Sequence, residues 1–331
     1  MMTDQTPKRA LGLCSGGLDS ILSALILRNQ GVAVEWVSFE TPFFSAKKAR
    51  QAAKNQGIPL RVKNITPVYM EMMKNPPCGF GKHMNPCLDC HTLMFKLAGK
   101  MMEAEGFDFL FSGEVAGQRP MSQTRPSLRF VEKNSGFDGY ILRPLSAGTL
   151  PETIPEKKGW VDREKLLSLT GRSRKPQIRL AKALGVTDYP APAGGCLLTD
   201  KGFSQRLKDI FDHQDTYPEN QLHLLKYGRH FRLDEKTKII VGRTHVDNEN
   251  MARYIDSKKD IVLKMDGVPG PLVVIPGEGP EKMVLLAASI CIGYSKASNS
   301  SPAKVIVTKG ENHRRVEMLG VPPPDVAHLL I

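Results

Sequence analysis

The sequence predicts an α/β protein: a doubly wound parallel sheet followed by a second, smaller α+β domain. Three observations predict it. Over residues 9 to about 150, apolar runs of strand length alternate with stretches of helical spacing, as in a parallel sheet covered by helices on both faces. The first strand passes into the first helix through two adjacent glycines, Gly16 and Gly17. From about Phe203 the alternation gives way to paired helices, a hairpin signal and short strands, so the two domains are expected at 1–204 and 205–331.

The elements follow in order. Ala10 to Cys14 can form a buried strand, and Ile21, Leu22, Leu25 and Ile26 recur at helical spacing until Gly31 closes the helix. Val32 to Phe39 is a second strand, Ser45 to Gln56 a helix closed by Gly57, and Leu60 to Ile65 a third strand. Thr66 to Pro86, rich in Pro, Gly and Met, is expected as a functional excursion over the sheet edge. Leu88 to Glu105 is helical, Phe107 to Ser112 a strand, and Tyr140 to Leu142 a short one. In the second domain, helices at Phe203 to His213 and Glu219 to Tyr227 precede a hairpin of Phe231 to Leu233 and Lys238 to Val241. Asp247 to Ile255 is helical, Ile261 to Lys264 and Leu272 to Ile275 are strands, Glu281 to Ser295 is helical, and Lys304 to Thr308 is the final strand.

At 331 residues the chain is long enough for two cores. The longest apolar run, Met283 to Tyr294, is too short to cross a bilayer, and no apolar signal segment opens the chain, so a cytoplasmic protein without membrane partners is expected. Six scattered cysteines do not make a disulfide framework, and close pairs in a reducing compartment more often bind metal or do chemistry. The net charge of +12 points to a polyanionic partner. Residues 205–331 carry 18 of the 46 Lys and Arg and 16 of the 34 Asp and Glu, so the excess lies in the first part. It is densest from Arg163 to Lys182, a stretch that suits either a solvated helix face or nucleic acid.

Ser15, Gly16, Gly17, Leu18, Asp19 and Ser20 form the turn between first strand and first helix. Paired glycines let the backbone turn tightly, so successive N–H groups and the helix dipole can surround an anion. Ser15 and Ser20 add hydroxyls, and Asp19 can hold a magnesium ion against phosphates. The stretch lacks the Lys of a Walker A loop and the third Gly of a dinucleotide fingerprint.

A second constellation is Asn85-Pro86-Cys87-Leu88-Asp89-Cys90-His91, which puts two thiols three residues apart at a helix start. The helix dipole with Lys82 and His83 nearby favours thiolates. A third thiol lies in Ala193-Gly194-Gly195-Cys196. Several chemistries suit these residues. Cys-x-x-Cys-His matches a c-type haem attachment site, which needs an exported chain. Structural zinc needs a fourth ligand, for which His83, His91 or Cys78 could serve. A redox dithiol would carry persulfide sulfur on Cys90 or Cys196. An iron–sulfur cluster on Cys87, Cys90 and Cys196 leaves one iron exchangeable, which suits sulfide chemistry.

The Ser15 to Ser20 stretch resembles the signature of the PP-loop ATP pyrophosphatases, which cleave ATP between its α and β phosphates. With the cysteine motif, Ser112-Gly113-Glu114, Arg143-Pro144-Leu145 and a downstream Gly-Gly-Cys, the chain from 9 to about 200 resembles the tRNA thiolation branch of that family. The resemblance implies a Rossmann-like catalytic domain, ATP and Mg2+ as cofactors, and tRNA as the substrate, with a homodimer compatible with these features. It implies nucleotide contacts at Ser15, Gly16, Gly17, Leu18, Asp19, Ser20, Phe39 and Gly113, and catalytic roles for Asp19, Cys87, Cys90 and Cys196. Members with Cys-x-x-Cys and a third Cys hold a [4Fe-4S] cluster, so Cys87, Cys90 and Cys196 are the implied metal ligands, whereas persulfide members tend to have Asp where Cys87 stands. Gln118 and Arg119 fall where relatives line the nucleotide and substrate pocket. The segment from Tyr227 to Arg232 with Ile239 to Arg243 resembles the RNA-binding NFACT-R domain, implying RNA contacts from Arg229, Phe231, Arg232 and Arg243.

Overall fold

The computed structural model describes residues 7–191, 195–298 and 300–331. The chain divides into two compact units, one ending at Cys196 and one beginning at Leu197. The division expected after residue 204 falls inside the helix Lys201–His213. Its cap explains the offset: Asp200 accepts from the Phe203 N–H at 2.7 Å and the Ser204 hydroxyl donates to the Leu198 carbonyl at 2.9 Å, tying residues 198–204 to the helix.

The first unit runs β1 (Arg9–Leu13), α1 (Leu18–Arg28), β2 (Ala33–Glu40), α2 (Lys47–Gln56), β3 (Leu60–Asn64), α3 (Thr66–Lys74), α4 (Cys87–Glu105), β4 (Phe109–Ser112), α5 (Arg125–Ser135), β5 (Ile141–Leu142), α6 (Ile154–Lys157) and α7 (Lys175–Ala183). Its five strands are all parallel in the order β3-β2-β1-β4-β5. The order reverses between β1 and β4, and the crevice beyond their carboxyl ends is where such sheets take ligands. The loops that follow these two strands are Ser15 to Ser20 and Ser112-Gly113-Glu114. Eight of the eleven α1 residues are buried, in one core with Trp36, Phe109 and Phe111.

The second unit runs α8 (Lys201–His213), α9 (Glu219–Leu224), β6 (Arg229–Arg232), β7 (Lys238–Val241), α10 (His245–Ala252), β8 (Ile261–Met265), β9 (Val273–Ile275), α11 (Glu281–Gly293), β10 (Ala303–Lys309) and β11 (Asn312–Met318). Its six strands are antiparallel in the order β11-β10-β8-β9-β7-β6. Of the elements not expected from sequence, the short α6 included, three are instructive. Helix α3 lies inside the Pro- and Met-rich excursion, with Pro67 in its first turn, where a missing N–H costs nothing. Helix α5 is mostly polar but is started by Thr124, whose side chain accepts from the Ser127 N–H at 3.1 Å. Strand β11 follows the strand expected to be last; as an edge strand with most residues exposed it carries no apolar alternation. Among the described residues no helix is long and apolar enough to cross a membrane.

Candidate active site

The turn after β1 is shaped by its first glycine. Gly16 has φ 73°, and a Cβ there would stand 2.2 Å from the Lys48 carbonyl carbon, so the first turn of α2 closes directly on the loop. Gly17 is different. A Cβ there would meet only the Ser15 hydroxyl at 3.4 Å, so protein packing leaves open the space before the α1 N-terminus, where N–H groups and the helix dipole favour an anion. The Ser15 and Ser20 hydroxyls lie 3.2 Å apart. Leu18 is fully buried in the core, so only its backbone belongs to the loop.

Asp19 is the most exacting residue of the turn. Its Oδ2 accepts from Gln118 Nε2 at 3.1 Å, while its Oδ1 is buried and has no hydrogen-bond partner among the described residues. Burial raises its pKa, and the Gln118 hydrogen bond, then Arg174, then Arg119 pull it back. A carboxylate oxygen without a partner beside two guanidinium groups is a place for a metal cation among phosphates. Gln118 thus acts on Asp19, and Arg174 emerges from the basic stretch as a site residue.

The loop after β4 binds this turn to the cysteine helix. A Cβ on Gly113 would stand 2.4 Å from the Asp19 carbonyl carbon and 2.5 Å from the Ser20 nitrogen, so the strand end presses on the backbone of the β1–α1 turn. The next residue, Glu114, is buried, with Oε1 2.8 Å from His91 Nδ1 and Oε2 accepting from Arg143 Nε at 3.0 Å and the Ser112 hydroxyl at 3.1 Å. Burial by itself would raise the Glu114 pKa, but Arg143 and His91 outweigh it and hold the carboxyl at about 2. Arg143 is itself buried and also approaches Glu132 at 3.7 Å, so the Arg-Pro-Leu motif supplies an internal clamp. Phe39, near the end of β2, is 5% exposed and belongs to the sheet interior.

Cys87 and Cys90 occupy the first turn of α4, and between them Asp89 accepts from the Cys78 N–H at 2.9 Å, closing the preceding loop onto the helix. Asn85 Nδ2 donates to Cys87 Sγ at 3.3 Å. Tyr69 of α3, packed against Phe43 and Phe44, hydrogen-bonds with the Cys90 thiol and lies within electrostatic reach of Cys87 and Cys196. The three thiols therefore lie within electrostatic reach of one buried phenol. Burial pushes the Cys90 thiol up to about 12; Tyr69 lowers it, and Cys196 and Cys87 raise it further. Burial at Cys90 therefore opposes the thiolate expected from the helix terminus. Among the described residues no three His, Cys, Asp or Glu side chains close into a metal cage. Ala193 and Gly194 lie outside the described residues, while Gly195 and Cys196 lie within them. Tyr69 had no motif to announce it; the only signal was the buried spacing of Tyr69, Met70 and Met73.

In the second unit the expected RNA contacts are largely taken. Phe231 is fully buried in the core, so it offers no face to a base. Arg232 binds Asp209 at 2.9 and 2.6 Å, Arg243 binds Asp247 at 2.6 Å, and Arg229 stands over the Tyr294 ring at 5.0 Å.

Residues 5–154 match the family model described as thiamine biosynthesis protein (ThiI), and residues 228–326 match the NFACT protein RNA binding domain. The probable tRNA sulfurtransferase of Thermoanaerobacter sp. (strain X514) is 30% identical over 149 residues, 42% of this chain and 37% of that one. The tRNA-specific 2-thiouridylase of Magnetococcus marinus is 30% identical over 141 residues, 37% of this chain and 39% of that one. A 4-thiouridine synthetase solved as an RNA complex with bound ATP matches at TM-score 0.34 and 22% identity, over 54% of this chain and 52% of that chain. The first unit resembles the tRNA sulfurtransferases over the residues that match the ThiI model. The second carries an NFACT-R domain, and the chain spans little more than a third of the length of the curated relatives it matches.

Proposed function

We propose that this chain uses ATP to replace a carbonyl oxygen of a tRNA uridine with sulfur. The observation that carries the reading is the Ser112-Gly113-Glu114 turn, whose glycine presses on the ATP loop while its glutamate holds His91, the neighbour of Cys90. One rigid turn thus joins the group that would activate a carbonyl to the group that would deliver sulfur. The triphosphate lies at the open N-terminus of α1, with Arg119 and Arg174 offsetting its charge. The buried Asp19 Oδ1 fits Mg2+, which supplies counter-charge to the phosphates. The uracil carbonyl oxygen attacks the α phosphorus, the bond to the β phosphate breaks, and pyrophosphate leaves. AMP is a far better leaving group than oxide, so sulfide can then add to the ring carbon and expel it.

Cys87, Cys90 and Cys196 suit a [4Fe-4S] cluster as donors, because all three sulfurs lie within electrostatic reach of Tyr69, and Asn85 and Tyr69 hydrogen-bond two of them. Such a cluster would supply one iron open to sulfide, and Cys90 would hold it as the thiolate. The names of the relatives and the cationic excess of the first part favour tRNA as acceptor, and the NFACT-R unit would add RNA contacts. A cytoplasmic setting would keep the thiols reduced.

Protein purified without oxygen is expected to contain iron and acid-labile sulfide, both lost in Cys196→Ala, and to release pyrophosphate from ATP with unmodified tRNA. Nucleoside mass spectrometry then separates 2-thiouridine from 4-thiouridine. An iron-free preparation that thiolates tRNA would replace the cluster by persulfide on Cys90 or Cys196. No pyrophosphate release with tRNA and Mg2+ would overturn the reading.

A further inference from the structure

We infer that the outward faces of α2 and α7 form the track along which the RNA backbone reaches the active site. The inference rests on the tRNA reading above and says where on the first unit the RNA lies. Helix α1 is buried nearly all round, and Ala49 and Ala52 of α2 and Ala181 of α7 enter the same core as Leu22 and Leu27 of α1. The opposite faces of α2 and α7 therefore look outward. Both helices start at the ATP loop: the Lys48 backbone closes on Gly16, and Arg174, just ahead of α7, faces Asp19. Their far ends are linked too, since Asn55 Nδ2 donates to Asp188 Oδ2 at 2.6 Å.

The charge on these faces is of one sign. Lys47, Lys48 and Lys54 on α2 and Lys175, Arg179 and Lys182 on α7 are all exposed. No Asp or Glu occurs from Thr41 to Met70 or from Lys165 to Thr187. Among the described residues none of the six cations has an ion-pair partner. Other cations of this unit are engaged: Arg50 binds Glu40 at 3.3 Å, Arg61 binds Glu35 at 3.0 Å, and Arg129 and Arg163 bind Asp138 and Glu156. Six like charges left unanswered raise the energy of the free protein and are relieved by a polyanion. Lys175 and Lys182 lie about 10 Å apart along the helix axis, a reach that spans more than one phosphate of a strand. Ile178, 48% exposed between them, offers an apolar contact to a ribose or base. With Ile178 the one large exposed apolar residue of α7, the face lacks the apolar wedge that an anionic membrane surface would take.

The test uses the full chain and two triple variants, Lys47→Gln/Lys48→Gln/Lys54→Gln and Lys175→Gln/Arg179→Gln/Lys182→Gln. Binding of unmodified tRNA is followed by fluorescence anisotropy from about 50 to 200 mM salt. Each triple variant is expected to bind at least about tenfold more weakly, with a log–log salt slope shallower by about 2 to 3. Thermal unfolding midpoints should match the wild type, since the replaced side chains are exposed. If both variants keep wild-type affinity and slope, this inference falls while the tRNA reading stands. If the wild type itself binds no tRNA, the tRNA reading falls. Loss of binding to phosphatidylglycerol vesicles with tRNA binding intact would give the face to a lipid surface and overturn the inference equally.

Discussion

In the second unit Asp209 is held by Arg232 at 2.6 Å and Lys238 at 2.9 Å, whereas in the first unit Asp19 keeps one buried oxygen with no hydrogen-bond partner among the described residues. Particular surface cations differ in the same way. Arg314, Arg315 and Lys309 of the second unit are tied to Glu281, Asp266 and Glu278, while Lys47, Lys48 and Lys54 of α2 and Lys175, Arg179 and Lys182 of α7 have no ion-pair partner among the described residues. A charge answered inside its own unit supports the fold. A charge left unanswered costs stability and is retained where something else supplies the partner. By this measure Asp19 and the outward cations of α2 and α7 are the charges that fit the proposed phosphate ligand, while Arg232 and Arg243 of the second unit are engaged within it.

The comparison is broken most easily at Glu114, a buried carboxylate of the first unit answered on both oxygens. Glu114→Gln leaves Arg143 buried without its main counter-charge and should destabilise the unit by about 3–5 kcal/mol in urea unfolding. Adding Arg143→Met should recover most of that loss, and a double variant as unstable as the single one would contradict the clamp. Next comes Asp19→Asn, which should cut pyrophosphate release by two to three orders of magnitude. Its stability should hold or rise, because burial disfavours the charge it removes. A stable, fully active Asp19→Asn protein would remove Asp19 from the chemistry. Asp209→Asn should do the reverse in the second unit. It strands Lys238, whose pKa burial already lowers to about 8, and should cost about 3 kcal/mol in stability. The smallest effect is expected at Arg314→Ala, an exposed pair with Glu281, where a change of less than about 1 kcal/mol should be found.

Acid sharpens the same contrast. The Glu114 carboxyl lies near 2 in the fold against an ordinary 4.5, so its contribution is complete above about 4.5 and is lost as pH falls toward 2. Asp209, also lowered, loses its contribution in the same direction. Asp19 is raised, so its ionisation weakens the fold as pH rises through the ordinary carboxylate range. Denaturant midpoints between pH 7 and pH 3 should fall less steeply in Glu114→Gln/Arg143→Met than in the wild type. An identical slope would show that the clamp does not govern acid stability.

What the sequence made legible was local. A glycine pair between an apolar strand and a helical run, or two cysteines one turn apart, needs only neighbours in the chain to be recognised. The contacts that assemble the site are not local: Gly113 meets Asp19 and Ser20, Glu114 meets His91 and Arg143, and Tyr69 reaches thiols on α4 and at the end of the unit. Gln118 and Arg119 were legible as site residues, but that Gln118 would bind Asp19 was not. Phe231 misled because an aromatic among arginines looks the same in sequence whether it stacks on a base or fills a core. Strand β11 was missed for a related reason, since an exposed edge strand has no buried face to impose a pattern.

The central claim is that the open charges of the first unit serve thiolation of tRNA. It is tested most directly by nucleoside mass spectrometry of total tRNA from cells lacking this gene, complemented with wild-type protein, Asp19→Asn or Cys196→Ala. The account predicts one thiouridine missing from the deletion strain, restored by the wild type and by neither variant. A thiouridine profile unchanged by the deletion would contradict it.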